Sequence, residues 1–348
     1  MKPIKTGLAS FGMSGSVFHA PLIAAHPAFE LTAICERSQN KSSEKYPDAR
    51  IVRTFEALIT DPETELIVVN TPDSTHFDYC KTALEAGKHV VVEKPFVFTV
   101  EEGLRLVEIA KVNDRMLSVF QNRRWDGDFL TLKKVIESGQ LGRLVEIRSG
   151  FQRYRNVPIQ GTWKETAYRF VGTTYNLGSH LVDQMVELLG MPQGVFAQIK
   201  TLRDRGEVDD YFHILLIYPD VQVSLTAGYL MREETPRFIA HGTLGSFVKY
   251  GFDPQEAMLR SGTSPLSPGY GADPVEKYGI LHTEIDGKVE RKPIETEHGN
   301  YLAYYNQVAD CIRNGEPTPA SAADNLKMIG LLEAAFRSAK EGCIVSVG

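Results

Sequence analysis

Cysteine is scarce: Cys35, Cys80, Cys311 and Cys343 are the only four in 348 residues, and no two form a C-x-x-C pair. This argues against a disulfide framework and reads as small buried side chains in a reducing compartment. The nine histidines never fall at H-x-x-x-H spacing, so no metal site is expected. No basic run exceeds a pair, and 38 basic against 44 acidic side chains leave a net charge of −6. That balance argues against a nucleic-acid footprint. No apolar run approaches the roughly 18 residues that would suggest a membrane span. A strand starting within a few residues of Met1 leaves no room for a signal peptide, so a cytoplasmic chain is expected.

What is present is ordinary for a globular chain, with 43% apolar and 24% charged residues, and the length favours two domains. Through the first 120 or so residues, apolar strands alternate with amphipathic helices. Ile4 to Ala9, Leu31 to Cys35, Leu66 to Asn70, Val90 to Glu93 and Met116 to Phe120 read as strands. Helical patterns fill the gaps from Val17, Thr54, Thr75 and Val100. This alternation predicts a parallel, doubly wound α/β sheet. After Gln121 the rhythm changes to a helix, a long strand, a helix and then successive strands from Val195 to His241, an antiparallel or mixed sheet. Two closing helices follow, the second opened by a Ser321–Asp324 capping box. The expected boundary puts a dinucleotide-binding domain at 1–122 and a substrate-binding domain at 123–348. Apolar residues on the long strands suggest that one sheet face is covered by self-association, as a homodimer or homotetramer.

The turn after the first strand reads Ser10-Phe11-Gly12-Met13-Ser14-Gly15, a G-x-G-x-x-G pattern with serine first. Gly12 lets the backbone approach a pyrophosphate, Gly15 lets the helix pack closely, and the helix N-terminus favours negative charge. Ser10, Phe11, Gly12, Met13 and Gly15 are therefore candidate cofactor residues. Glu36 and Arg37 end the second strand. The acid suits the ribose hydroxyls of NAD and the arginine suits the 2′-phosphate of NADP, so NAD(P) is expected with the choice open. Thr71, Pro72 and His76 follow the next strand end, although His76 reads equally well as a water-exposed helix-start residue. Lys94 closes the valine run "HVVVEKPF", either as the polar end of a buried strand or as a group held for chemistry.

Glu93-Lys94-Pro95, downstream of the glycine turn, resembles a signature of the glucose-fructose oxidoreductase, inositol dehydrogenase and rhizopine-catabolism family. "YNLGSH" is similar to the family's second pattern, D-x-G-x-H, with Asn176 in place of aspartate. Strings such as "FHAPLI", "ALEAGKHVVVEKPF", "LSVFQNRRWD" and "HGTLGSFVKYG" look like the branch of NADP-dependent scyllo-inositol dehydrogenases, and the resemblance spans essentially the whole chain. It implies an N-terminal Rossmann domain followed by an α/β domain with a large, mostly antiparallel open sheet. It implies hydride transfer between nicotinamide and a hydroxyl-bearing carbon of a sugar or inositol-like polyol. Lys94 would face the reacting hydroxyl and His180 would carry its proton, while Asn176 keeps the hydrogen-bonding geometry without the charge. Glu93 and Asn122 join the cofactor residues. Arg123, Tyr154 and Trp163 are substrate candidates, with a structural salt bridge the alternative for Arg123. Asp210 and Tyr211 are further candidates, and His19 is placed near the cofactor turn. Two other readings stand beside this one: a non-catalytic sensor of sugars or dinucleotides, and an NAD-dependent glycosidase.

Overall fold

The computed structural model describes residues 2–159, 161, 165 and 171–347. The chain divides into two compact units: 1–125 with 254–271 and 300–326, and 126–253 with 272–299 and 327–348. The first unit thus recruits two later segments that a single cut at residue 122 assigns to the second.

Unit 1 is built on six strands: β1 (Ile4–Leu8), β2 (Phe29–Cys35), β3 (Arg50–Val52), β4 (Leu66–Val69), β5 (His89–Val92) and β6 (Leu117–Val119). Their order is β3-β2-β1-β4-β5-β6 and every pair is parallel. The period of two along each strand explains why both faces are covered. In β4, Leu66 and Val68 enter one apolar cluster, whereas Ile67 and Val69 enter another. The first cluster is completed by α1 (Ala20–Ala25) and by Tyr304, Tyr305 and Val308 of α8 (Leu302–Asn314). The second is completed by α2 (Phe55–Ile59), α3 (His76–Glu85) and α4 (Val100–Val112). All four β4 side chains are fully buried, each contributing roughly 1.5–3 kcal/mol. Thr54 and Thr99 cap α2 and α4 by accepting from the Ala57 and Glu102 amides.

Unit 2 carries a nine-stranded sheet. Its strands are β7 (Leu144–Gln152), β8 (Gly194–Lys200), β9 (Tyr211–Ile217), β10 (Gln222–Gly228), β11 (Phe238–Gly242), β12 (Gly245–Lys249), β13 (Gly279–Ile285), β14 (Lys288–Ile294) and β15 (Val345–Ser346). The order is β14-β13-β12-β11-β7-β10-β9-β8-β15, antiparallel except for the parallel β7–β10 pair. On one face Phe212, Ile214, Leu216, Val223 and Leu225 are buried. Most alternate residues are half-buried, and around them lies a depression of about 510 Å³ lined by Arg148, Gln152, His213, Ser224 and Thr226 among others. That face is more polar than the strand composition suggests. The unit's principal helices are α5 (Gly127–Glu137) and α6 (Ser179–Leu189), together with most of α9 (Ala322–Glu341); α7 (Gln255–Arg260) belongs to unit 1.

Candidate active site

Because β1, β4, β5 and β6 run parallel, their carboxyl ends share one edge of the sheet. Ser10, Thr71, Glu93, Lys94 and Asn122 all lie just beyond those ends. The strand order reverses between β1 and β4, the point at which such sheets bind ligands. Asn70 joins the two strand ends there. Its side chain accepts from the Ser10 amide (2.9 Å) and donates to the Ser10 carbonyl (2.8 Å). Sequence patterning did not single out Asn70, because its partner lies 60 residues away.

The glycine turn fits a dinucleotide. A Cβ at Gly15 would overlap the Ser10 carbonyl oxygen and crowd Asn70, so only glycine lets the helix start this close to the strand. At Gly12 a Cβ would meet only the Ser10 hydroxyl, at 3.3 Å, which leaves the outer side of the turn open for backbone approach. Gly12, Met13 and Arg37 are exposed, and Phe11 is half-buried beside Tyr46, with ring centroids 6.0 Å apart. Gly15–His19 then forms a π-helical turn, with the Ala20 amide reaching back to the Gly15 carbonyl, before α1 begins. The helix expected from Val17 thus starts earlier and more widely wound.

Glu36 is turned away from this edge. One carboxylate oxygen accepts from the Ser42 amide (2.9 Å) and hydroxyl (2.6 Å), and the other from the Lys41 amide (2.9 Å). The residue is only 7% exposed. Burial pushes its carboxyl up, but the Ser42 and Lys41 hydrogen bonds outweigh this and hold it below the usual range. Its acceptor capacity serves its own loop, which Arg53 ties further through the Glu36 and Gln39 carbonyls.

His76 is buried rather than water-exposed. Its ring lies between the Pro95 carbonyl (Nδ1, 2.9 Å) and the Thr71 carbonyl (Nε2, 3.0 Å). It therefore sits between the two strand ends flanking the site instead of presenting its ring outward. Thr71 shares a hydroxyl contact with Thr75 at 2.6 Å, and Pro72 is exposed. The Lys94–Pro95 peptide is cis. Glu93 accepts from the Lys94 amide through Oε2 (3.1 Å), and its Oε1 lies 3.2 Å from His19 Nε2. Burial pushes the Glu93 carboxyl up; His19, with Lys94 behind it, more than offsets this and keeps it ionised below the usual range. Arg123 is paired with Glu256 at 3.0 Å, the structural alternative raised for it. Asn122 is buried.

Unit 2 presents a second constellation, again behind a π-helical turn, Thr174–Gly178, which runs into α6. Asn176 is half-buried on that turn and His180 is 4% exposed on the first turn of α6. Asp209 braces the entry: its Oδ2 accepts from the Thr174 amide (2.7 Å) and hydroxyl (2.8 Å). Burial pushes the Asp209 carboxyl up to about 6, although Thr174 pulls it back. A Cβ at Gly172 would overlap this carboxylate, and Gly172 has φ +130°, so the position requires glycine twice over. One turn along α6 from His180, Gln184 accepts from Arg237 at 2.6 Å. Arg237 is fully buried between the rings of Phe151 and Phe238, 4.1 and 4.0 Å away. Asp210 is committed to structure, accepting from the Leu202 and Arg203 amides and the Arg203 guanidinium. Tyr211 is half-buried on β9. Tyr154 is 43% exposed beneath the Arg232 guanidinium. Trp163 lies outside the described residues. Among the described residues, no group of three or more His, Cys, Asp or Glu is placed to hold a metal ion.

The strand order, the switch point and the glycine turn define a dinucleotide-binding protein of the Rossmann class with a second α/β unit. Residues 4–121 match the sequence model described as an oxidoreductase family, NAD-binding Rossmann fold, and residues 133–347 match the same family's C-terminal alpha/beta domain. The chain belongs to this glucose-fructose oxidoreductase, inositol dehydrogenase and rhizopine-catabolism family of oxidoreductases. It is 39% identical over 338 residues to a scyllo-inositol 2-dehydrogenase (NADP(+)) of Bacillus subtilis, covering 97% of this chain and 94% of that one. A D-glucoside 3-dehydrogenase of Escherichia coli is 24% identical over 193 residues, 55% of each chain. The crystal structure of an oxidoreductase from Bacteroides fragilis, 50% identical, superposes with a TM-score of 0.93 over 99% of this chain and 100% of that one.

Proposed function

We propose that this oxidoreductase is an NADP-preferring dehydrogenase that oxidises a CH–OH group of an inositol-like polyol, or reduces the matching ketone. The observation that carries the cofactor choice is the inward-turned Glu36 beside an exposed Arg37. An acid that accepts from its own loop neither grips the ribose diol nor repels a 2′-phosphate, and an exposed arginine is a phosphate partner. The B. subtilis relative, named for scyllo-inositol and NADP(+), supports both parts of the reading. Residues Ser10 to Gly15 would hold the pyrophosphate, and the bound nicotinamide supplies the hydride acceptor or donor.

Lys94 orients the reacting hydroxyl and stabilises negative charge as it develops on that oxygen. His180 takes or returns the hydroxyl proton, a role suited to imidazole. Asn176 hydrogen-bonds the substrate without adding charge. Self-association through the half-exposed face of the nine-stranded sheet and a cytoplasmic setting belong to the same reading. Among the described residues, no helix is long and apolar enough to cross a membrane.

The test is nicotinamide absorbance with NAD or NADP against a panel of inositols, aldoses and other polyols, beside fluorescence titration of each cofactor. NADP is expected to bind at least roughly tenfold more tightly than NAD, with Arg37→Ala erasing the preference and Glu36→Gln leaving it. Tighter NAD binding, weakened by Glu36→Gln, would overturn the cofactor choice. Cofactor binding without turnover of any compound would favour a sensor. A monomer by light scattering at micromolar concentration would remove the self-association.

A further inference from the structure

The reaction as assigned makes no use of His19. Yet this side chain is fully buried at the end of the first π-helical turn, its ring 4.4 Å from that of Phe120. Tyr305 Oη of α8 lies 2.7 Å from its Nδ1, and Glu93 Oε1 lies 3.2 Å from its Nε2. An ionised carboxylate only accepts, so Nε2 carries the proton toward Glu93. With neutral imidazole, Nδ1 then accepts from the Tyr305 hydroxyl, and the tautomer is fixed from both sides. The other Glu93 oxygen accepts from the Lys94 amide. Three elements far apart in sequence thus converge in one chain, Tyr305 to His19 to Glu93, ending at the backbone of Lys94. A buried polar chain of this kind is a weak source of stability compared with apolar packing, but once satisfied it fixes geometry.

We propose that His19 is a positioning residue for Lys94: through Tyr305 and Glu93 it fixes the carboxylate that orders the lysine backbone and balances its charge. The inference rests on the role of Lys94 given above. The groups facing Glu93 are His19 from the π-helical turn, Lys94 on its own strand end, and Tyr304 and Tyr305 from α8, with Arg124 near Tyr304. Without His19 the Glu93 carboxyl moves up, so its charge is lost at a higher pH and the acid limb of the rate profile moves the same way.

The test uses the full enzyme with His19→Leu, His19→Gln and Tyr305→Phe, followed by kcat and KM between about pH 5 and pH 9, Tm, and nitrogen NMR of the histidines. His19→Leu is expected to lower kcat roughly 10- to 100-fold and shift the acid limb upward, with cofactor affinity changed little. His19→Gln, whose amide still donates to Glu93, restores most of the loss. Tyr305→Phe keeps the ring and gives a smaller shift in the same direction. At about pH 8, NMR should show one buried histidine with Nε2 protonated and Nδ1 bare, its signal moved by Glu93→Gln. A folded His19→Leu with lower Tm but unchanged kcat and profile would make His19 merely structural. If His19→Leu does not fold, Tyr305→Phe and the NMR signal decide by the same criteria. Full turnover by Lys94→Ala removes the role of Lys94 and this inference with it. An inactive Lys94→Ala beside an unmoved His19→Leu profile overturns the inference alone.

Discussion

Unit 1 and unit 2 each contain a π-helical turn held by a half-buried carboxylate, Glu93 against His19 and Asp209 against Thr174, and the two acids are in different states. Burial raises both acids. Beside Glu93, the His19 imidazole and the Lys94 ammonium reverse that effect, and the acid stays ionised. Beside Asp209, the Thr174 amide and hydroxyl only partly offset it and Asp210 adds repulsion, leaving the carboxyl at about 6. The contrast shows that the partner decides what a buried acid does. With a cation it becomes a fixed charge at the reacting edge; with neutral donors it becomes a helix brace near its switching point. Asn176 extends the pattern, since unit 2 also lacks the family's carboxylate four residues before His180.

The largest effects should appear where that fixed charge acts. Lys94→Ala is expected to lower kcat/KM about 10³-fold, roughly 4 kcal/mol of transition-state stabilisation. His180→Ala removes a proton carrier and should cost about 10²-fold, a loss concentrated where its imidazole is normally neutral. Stopped-flow absorbance across pH separates the two. A larger loss from His180→Ala would invert the comparison and make proton transfer, not charge stabilisation, the dominant contribution.

Asp209 offers the next largest effect, on stability. Its folded pKa lies above its unfolded value of 3.8, so the folded state binds more protons between about pH 4 and pH 6. Stability should therefore fall as pH rises through that window, by up to about 3 kcal/mol. Asp209→Asn keeps an acceptor for Thr174 and removes the charge. Urea denaturation should show the variant gaining on the parent at about pH 8 and losing that gain near pH 4. A pH-independent difference would mean that Asp209 is not a strained anion. Gly172→Ala, at φ +130° against the same carboxylate, should destabilise by about 2 kcal/mol or more while leaving cofactor binding by unit 1 in place.

Local patterns carried much of this architecture. The apolar runs of β1, β4 and β5, the glycine turn and the Ser321–Asp324 capping box, with the Asp324 amide 3.1 Å from Ser321 Oγ, were all legible in the sequence. β3 was not, because three residues carry no period. β13 and β14 were hidden by the charged run "KVERKPI", yet Asp286-Gly287, both at positive φ, is the turn signal that marks their hairpin. The two later segments of unit 1 escaped notice because tertiary packing, not composition, assigns them. The bracing residues were the least visible. His19 and Tyr305 are 286 positions apart, and Asp209 lies 35 from Thr174, distances over which no periodicity speaks.

The smallest expected change bears most directly on that contrast. Asn176 and His180 stand four residues apart across the junction of the second π-helical turn and α6. Asn176→Asp would give unit 2 the charge beside its histidine that unit 1 has beside its lysine. A carboxylate there favours imidazolium, so the histidine pKa rises, and a base that must be neutral is lost over a wider acidic range. The acid limb of kcat/KM for alcohol oxidation should therefore move up by roughly one pH unit, about 1.4 kcal/mol. Rates near pH 8 should change little. A shift of this size that is absent when His180 is replaced attributes the shift to His180 and shows that a neutral residue at 176 tunes unit 2 to a lower working pH. An unmoved limb places Asn176 out of reach of the histidine and reduces its role to holding the turn.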